Sequence, residues 1–289
     1  MNKVFILIPT FNRSEILKLC LDCIHKQTSP NYQTIVINDG SRDNTSAIIS
    51  KYPKTTELKG DGHLWWTGAM RKGVEYILPR SKKGDWVLLM NDDTKFDKDY
   101  IKKIIGVGER PKRSIITSVC LDIKTKSKVL EAGVKVDWTK PRFDQPLKPP
   151  TNLSNAPLTP VDTACGRGTL IPIEVFNQIG NFTCHLPHYG ADYEFMIRAR
   201  EAGFPLYISY QCRVFATAKA GGVSFVPGRH LTIGKLWQQM FSRRSKSNIV
   251  DQLMFILLTV PKPLIPLRFY FWIKDIVFRT VFLFRQKTS

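Results

Sequence analysis

The chain has 289 residues and 43% hydrophobic content, enough for one large domain with an appendage around an ordinary globular core. Its 43 Lys and Arg against 24 Asp and Glu give a formal charge of +19, so acidic partners are favoured over basic ones: nucleic acid, anionic lipid headgroups or nucleotide phosphates. Residues 235–289 hold ten of the basic residues and two acids, so this stretch carries +8 and the rest of the chain +11.

In chain order, residues 4–8 form a short apolar run of the kind buried on both faces of a parallel sheet, ending at Pro9-Thr10-Phe11-Asn12-Arg13. Ser14 reads as the N-cap of an amphipathic helix over 15–27. Cys20 and Cys23 lie on that helix without a second pair at metal-like spacing, and read as reduced thiols. A second strand over 34–38 ends in Asp39-Gly40-Ser41-Arg42-Asp43, where Gly40 permits a tight turn and Asp43 or Asn44 can cap a helix over 45–51. Two strand, polar loop, helix units in the first fifty residues predict a parallel α/β sheet. The first loop is neither the G-x-G-x-x-G of a dinucleotide fold nor a Walker lysine loop.

The most informative stretch is 85–94, D-W-V-L-L-M-N-D-D-T. An apolar strand over 86–90 runs into Asp92 and Asp93, and ligands of open α/β sheets bind beyond such carboxyl ends. Adjacent carboxylates repel and lose hydration there, so they call for a cation. A hard divalent ion completed by substrate phosphates would suit them, and an ordinary acidic turn is the alternative.

Together these segments resemble family 2 of the glycosyltransferases, with the GT-A fold: a mostly parallel central sheet flanked by helices. The resemblance rests on I-P-T-F-N-R, N-D-G-S-R-D and M-N-D-D-T. It implies that Asp39 accepts the N–H of the donor base and that Pro9, Thr10 and Arg13 line the nucleoside. It also implies that Asp93 ligates Mg2+ or Mn2+, that Asn91 stands where the motif often has its first Asp, and that Asp92 contacts the ribose if Asn91 does not hold the ion. The loop Gly60-Asp61-Gly62-His63-Leu64-Trp65-Trp66-Thr67-Gly68-Ala69, before a helix over 70–77, brings backbone and an aromatic ring close to a ligand at Gly62 and Trp65. Its alternative is that both tryptophans plug the sheet edge. The G-x-L-W-W-T-G-A pattern is similar to rhamnosyltransferase-like bacterial members.

Further along, a helix over 97–106 and a strand over 114–119 precede a loop, 140–160, with six prolines. Arg167, between Gly166 and Gly168, can reach phosphate oxygens, and a helix follows at Ile173–Ile179. His188-Tyr189-Gly190-Ala191-Asp192 leads into a helix over 193–202 closed by Gly203. The family resemblance places the catalytic base on Asp192, with Ala191 replacing the usual Glu; a helix N-cap is the alternative. The His that the family often supplies as a further metal ligand is missing after strands 206–210 and 213–215, leaving Thr217, water or Lys219, and more weakly His188, in its place.

Residues 231–289 change in character: a helix over 235–241, a basic turn 243–246, an apolar stretch over 253–260 and an aromatic-rich helix over 268–285. This part reads as an interfacial helical tail on an anionic membrane, or as a pair of helices docked on the catalytic domain or on a second copy in a homodimer. The expected division is thus a GT-A catalytic domain over 1–230 and a docking tail over 231–289. The five-residue apolar run near the N-terminus is too short for a signal peptide, and no uncharged apolar stretch approaches the ~20 residues of a membrane span. The expected location is cytoplasmic, peripheral to the inner face of the cell membrane. The implied activity is metal-assisted, inverting transfer of a sugar from a UDP-, dTDP- or GDP-sugar to a glycan or lipid-linked glycan acceptor, in cell-surface polysaccharide or glycolipid synthesis. A nucleotidyltransferase is the enzymatic rival. A basic nucleic-acid-binding protein is the non-enzymatic one, disfavoured because the aromatics gather in glycine loops and the tail, so nucleic acid is not an expected partner.

Overall fold

The computed structural model describes residues 2–109, 113–217 and 233–285. The elements in chain order are β1 (Val4–Thr10), α1 (Ser14–His25), β2 (Tyr32–Asn38), α2 (Thr45–Ile49), β3 (Thr55–Lys59), α3 (Trp65–Ile77), β4 (Trp86–Leu89), α4 (Tyr100–Gly108) and β5 (Ile115–Asp122). Four short strands follow, β6 (Val129–Glu131), β7 (Val134–Val136), β8 (Asp144–Pro146) and β9 (Thr159–Pro160), then β10 (Thr169–Pro172), α5 (Ile173–Ile179), α6 (Ala191–Glu201) and β11 (Leu206–Ala216). Helices α7 (Ile233–Phe241), α8 (Ile249–Thr259) and α9 (Ile265–Arg285) lie beyond.

The main sheet has the order β3-β2-β1-β4-β10-β5-β11-β9, with β6 added on β5. Strands β3, β2, β1 and β4 are parallel, β5 pairs parallel with β11, and β10 alone among the central strands runs antiparallel to both neighbours. The apolar runs are unbroken because both faces are covered. Along β1, Phe5 and Leu7 face one core with Met70 and Val74 of α3 and Phe195 of α6. Val4, Ile6 and Ile8 face the other, with Leu17 of α1, Ile48 of α2 and Ile101 and Ile104 of α4. The result is a helix–sheet–helix sandwich in which the loops after β1, β2 and β4 share one edge.

Chain reversal of strand order occurs at β1, between β2 and β4, which is where open α/β sheets leave a crevice. The pairing of β1 with β4 stops at Leu7 and Leu89. Pro9, two residues on, has its nitrogen on the β4 side, so its missing N–H falls beyond the last pair and costs no ladder bond.

Several local expectations are corrected. Ser14 is the first residue of α1 rather than its cap, and its N–H is accepted by Asp43 Oδ2 at 2.9 Å. Asp43 Oδ1 also accepts the N–H of Thr45, so one side chain from the second loop serves the start of α1 and of α2. Helix α3 begins at Trp65, five residues earlier than the periodicity indicates. The two short strands expected over 206–215 form one strand, with an irregularity between Ser209 and Arg213. Gly203 closes α6 with φ of 90°. All six cysteines are free. The division expected near residue 230, and Lys219, lie outside the described residues.

Helix α8 packs against α6. Its Phe255 forms an aromatic cluster with Trp138 and Phe143 of the β7–β8 hairpin and lies over the Cα of Gly190. Arg268 of α9 donates to the carbonyls of Lys140 and Pro141, with its guanidinium over the Phe143 ring. These contacts fix the inner faces of α8 and α9 on α6 and on the β7–β8 hairpin. No described helix is long and apolar enough to cross a membrane.

Candidate active site

The loops after β1, β2, β3 and β4 meet at the carboxyl edge of these parallel strands. The first and second are joined by backbone-to-side-chain bonds: Asn12 N–H to Ser41 Oγ at 2.9 Å and Arg42 N–H to Asn12 Oδ1 at 2.7 Å. Asn12 adopts φ of 51°, a left-handed conformation that asparagine tolerates better than most residues. The second and third loops are joined by Asp39, whose Oδ1 accepts the Gly62 N–H at 2.9 Å and whose Oδ2 accepts the Trp65 N–H at 3.1 Å. A Cβ on Gly40 would stand 2.9 Å from Gly62 N, so this crossing of two backbones demands glycine. Asp39 therefore ties the second loop to the third, a task that its sequence context does not announce.

The tryptophan pair divides. Trp66 packs edge-on against Phe182 and over Gly166, where a Cβ would come within 2.6 Å of its ring. Trp65, held at φ of 55°, turns the other way and lies against His188 with ring centroids 5.5 Å apart. A bulky residue in the left-handed region is strained, and such strain persists where surrounding structure enforces it, as the Asp39 bond does here. Burial, with Arg244 nearby, lowers His188 to about 4, so it is a neutral ring packed against aromatics.

Asp92 is buried, with Oδ2 accepting from Thr10 Oγ1 at 2.9 Å and Oδ1 2.8 Å from Arg13 Nη1. Burial raises it to about 6 against the pull of Arg13 and Thr10. Its two oxygens are thus committed to Thr10 at the end of β1 and to Arg13 in the loop after it. Asp93 is placed differently: Oδ2 lies 3.6 Å from Arg13 Nη2 and Oδ1 lies 3.4 Å from Arg167 Nη2, and Oδ1 is buried with no hydrogen-bond partner. With its carboxamide oriented to satisfy both groups, Asn91 accepts from Nε and Nη2 of Arg167 at 3.2 Å, so its oxygen faces the guanidinium.

Among the described residues no group of three or more His, Cys, Asp or Glu side chains could enclose a metal. The donor set fits a divalent ion that brings most of its shell with it: one carboxylate with an unused buried oxygen, completed by diphosphate oxygens and water. His188, engaged by aromatic rings, adds nothing to that set, and Thr217 is exposed.

The turn before β10 ties the site together. Because β10 runs antiparallel to β4, with Thr169 opposite Leu89, this turn arrives at the same edge as Asn91 to Asp93. Its three consecutive residues are each held by a different acid. Cys165 Sγ donates to Glu131 Oε2 at 2.9 Å, Gly166 N–H donates to Asp192 Oδ2 at 3.1 Å, and Arg167 pairs with Asp93. Arg167 also lies 3.7 Å from Glu131 Oε2; burial works against its charge, and Glu131 and Asp93 more than restore it.

Asp192 is the second residue of α6, following Gly190, whose φ of 86° sets the turn into the helix. Its Oδ1 accepts only the adjacent Tyr193 N–H at 2.9 Å, so it is not the cap of α6. Burial raises Asp192 to about 6; the Gly166 and Tyr193 amides oppose this, and Glu131 adds to it. A carboxylate poised there is suited to general base work near neutral pH.

The structure thus gathers Thr10, Arg13, Asp92, Asp93, Arg167 and, through the turn at Gly166, Asp192 into one bonded network; Pro9 precedes Thr10 on β1, and Asp39, Gly62 and Trp65 are bonded to one another in the neighbouring loops. Glu131 is the member that sequence reasoning missed, since its three-residue strand has no motif. Glu131→Gln keeps an acceptor for Cys165 but removes a charge that adds to the effect of burial on Asp192. The acid limb of the pH–rate profile is expected to move to lower pH, and a limb that stays in place would separate Glu131 from the base.

A family model described as Glycosyl transferase family 2 matches residues 5–180. An uncharacterized glycosyltransferase of Haemophilus influenzae is 26% identical over 105 residues, which is 36% of this chain and 34% of that protein, so the chain covers only about a third of that relative. Among solved structures, S. aureus TarS 1-349 superposes with a TM-score of 0.59 at 15% identity, covering 99% of this chain and 92% of that one. The mannosyltransferase PcManGT of Pyrobaculum calidifontis, in complex with GDP-Man and Mn2+, superposes with a TM-score of 0.56 at 15% identity over 91% of this chain and 67% of that one. At such identities these likenesses establish the GT-A fold.

Proposed function

The chain belongs to glycosyl transferase family 2, and from that premise we propose that it moves a sugar from a nucleoside diphosphate to an acceptor hydroxyl with inversion at the anomeric carbon. The observation that carries this reading is the turn 165–167, which links the carboxylate fit for a base to the carboxylate and guanidiniums fit for a diphosphate. Asp192 takes the proton of the acceptor hydroxyl as its oxygen bonds to the anomeric carbon, and the bond from that carbon to the diphosphate breaks. Its two amide bonds orient the carboxylate and leave lone pairs for that proton. Arg13 and Arg167 flank Asp93 and stabilise charge on the departing diphosphate. A single base and one displacement give inversion.

Asp93 would hold a divalent ion, Mg2+ or Mn2+, which when bound supplies further charge neutralisation to the diphosphate. Thr10, Pro9, Asp39, Gly62 and Trp65 supply the nucleoside wall. A panel of UDP-, dTDP- and GDP-sugars, followed for slow donor hydrolysis, tests the reading and names the donor; hydrolysis of none of them would sink it.

The catalytic domain over 1–230 and the helical tail over 231–289 would serve different tasks, the tail holding the enzyme on the inner face of an anionic membrane where a lipid-linked glycan acceptor is presented, in cell-surface polysaccharide or glycolipid synthesis. The outer side of α9 supports this: Tyr270, Ile273, Val277 and Phe278 are all more than half exposed, in a region rich in positive charge. Because the inner faces of α8 and α9 are already packed, the double substitution Ile273→Ser with Phe278→Ser removes apolar surface without undoing that docking. It is expected to weaken binding to anionic vesicles several-fold, and binding of the unaltered protein should fall as salt rises. If vesicle binding is unchanged and the substitution instead converts a dimer to a monomer, the face is a subunit interface.

A further inference from the structure

The turn joining α7 to α8 carries Arg243, Arg244 and Lys246 and has no part in the chemistry above. It is rigidly built. Asn248 accepts from Val250 and Asp251 amides and donates to the Ser242 carbonyl, buried Ser245 accepts from Ser247, and Ser242 Oγ accepts from the Arg244 N–H. Arg243 is engaged by Asp251 at 2.9 Å. Arg244 and Lys246 are exposed and make no ion pair among the described residues.

This turn faces the loop that delivers the base. Lys246 Nζ lies 5.7 Å from the centroid of the Tyr189 ring, three residues before Asp192. Phe255 of α8, the helix that follows the turn, rests on Gly190. Both cations thus stand by the loop 188–192 that leads into α6, Lys246 beside Tyr189 with its charge felt by Asp192, and Arg244 with its charge felt by His188. The helices on either side carry exposed apolar side chains: Trp237 and Phe241, with ring centroids 4.3 Å apart, on α7, and Val250 on α8. Two cations without an ion pair among the described residues, set between apolar neighbours, match an alkyl phosphate, whose head is anionic and whose chain is not.

We propose that Arg244 and Lys246 bind the phosphate of a lipid-linked acceptor, with Trp237, Phe241 and Val250 against its chain, so that the acceptor's hydroxyl is presented to Asp192. The assignment rests on the glycosyl-transfer reading and adds to it the residues that hold the acceptor's phosphate. A bulk membrane contact would use the outer face of α9; this site recognises one phosphate beside the base.

The test uses the full chain and its Arg244→Gln/Lys246→Gln variant, with dodecyl phosphate below its micelle concentration as probe and dodecyl maltoside as the uncharged control. UDP, GDP and dTDP binding are measured alongside, as a check on the fold and on the donor site. The expected result is at least about a 10-fold loss of dodecyl phosphate affinity in the variant, as two charge-assisted contacts warrant. Nucleotide binding should be unchanged, dodecyl maltoside should bind more weakly than dodecyl phosphate to the unaltered protein, and affinity for phosphatidylglycerol vesicles should change much less than affinity for dodecyl phosphate. Equal affinity of both proteins for dodecyl phosphate would overturn the proposal. So would an equal loss of vesicle binding, which would make the turn a general membrane contact, or an equal loss of nucleotide binding, which would give it to the donor. If the unaltered protein binds none of the nucleotides, the glycosyl-transfer reading fails by its own readout, whatever the phosphate measurement gives.

Discussion

Replacing Asp192 with Asn is expected to lower turnover by roughly 10²–10⁴-fold, the range for a lost general base, while nucleotide binding survives. The substitution conserves volume at a crowded position and removes the ability to take a proton. It also forces a choice, because Asp192 offers one oxygen to Gly166 and the other to Tyr193. The amide has only one oxygen, so one of these N–H donors would meet an NH2 group, and a slight loosening of the turn at Gly166 is part of the expected effect. In the unaltered enzyme the base must be ionised. With Asp192 raised by burial to about 6, the rate should be full above that pH and fall as pH drops through it. An Asp192→Asn enzyme with ordinary turnover would remove the residue from the chemistry, and an acid limb near the usual carboxylate range would show that its burial is relieved when substrate binds.

Asp93→Ala should abolish activity and the divalent-ion dependence of nucleotide binding without unfolding the protein. The fold tolerates the change because each flanking cation keeps another acid: Arg13 retains Asp92 at 2.8 Å and Arg167 retains Glu131 at 3.7 Å. The chemistry does not, because Asp93 offers this cluster a buried carboxylate oxygen that accepts no hydrogen bond. In metal-free buffer the variant should bind nucleotide at least as well as the unaltered protein, since two guanidiniums lose a competing anion. With divalent ion, only the unaltered protein should gain affinity. Nucleotide affinity that is indifferent to the ion in the unaltered protein would take the metal out of the mechanism and leave Arg13 and Arg167 as the diphosphate's cationic partners.

The residues that carry these expectations were legible in the sequence to different depths. Strands β1, β2 and β4 announce themselves, because a strand buried on both faces must be an apolar run, and the polar residues at its end mark the sheet edge. That is why Thr10, Arg13, Asp39, Asp92 and Asp93 could be singled out from local pattern and family resemblance together. The tertiary structure decided how they connect. The reversed direction of β10 brings Cys165, Gly166 and Arg167 to the carboxyl edge of β4, and the return of β6 along β5 sets Glu131 beside Cys120, with Cys120 opposite Glu131 in the ladder. Asp43 reaches across 29 residues to Ser14, and the two tryptophans take opposite sides because one is held by Asp39 while the other fills the space over Gly166. Helix α8 reads in sequence as an apolar stretch that does not reveal what it covers, and only the fold shows Phe255 resting on Gly190. Periodicity and turn chemistry act over a few residues and so leave a mark in the local sequence. The pairing of β10, the placement of Glu131 and the seat of α8 depend on surfaces far apart in the chain, whose complementarity has no local signature.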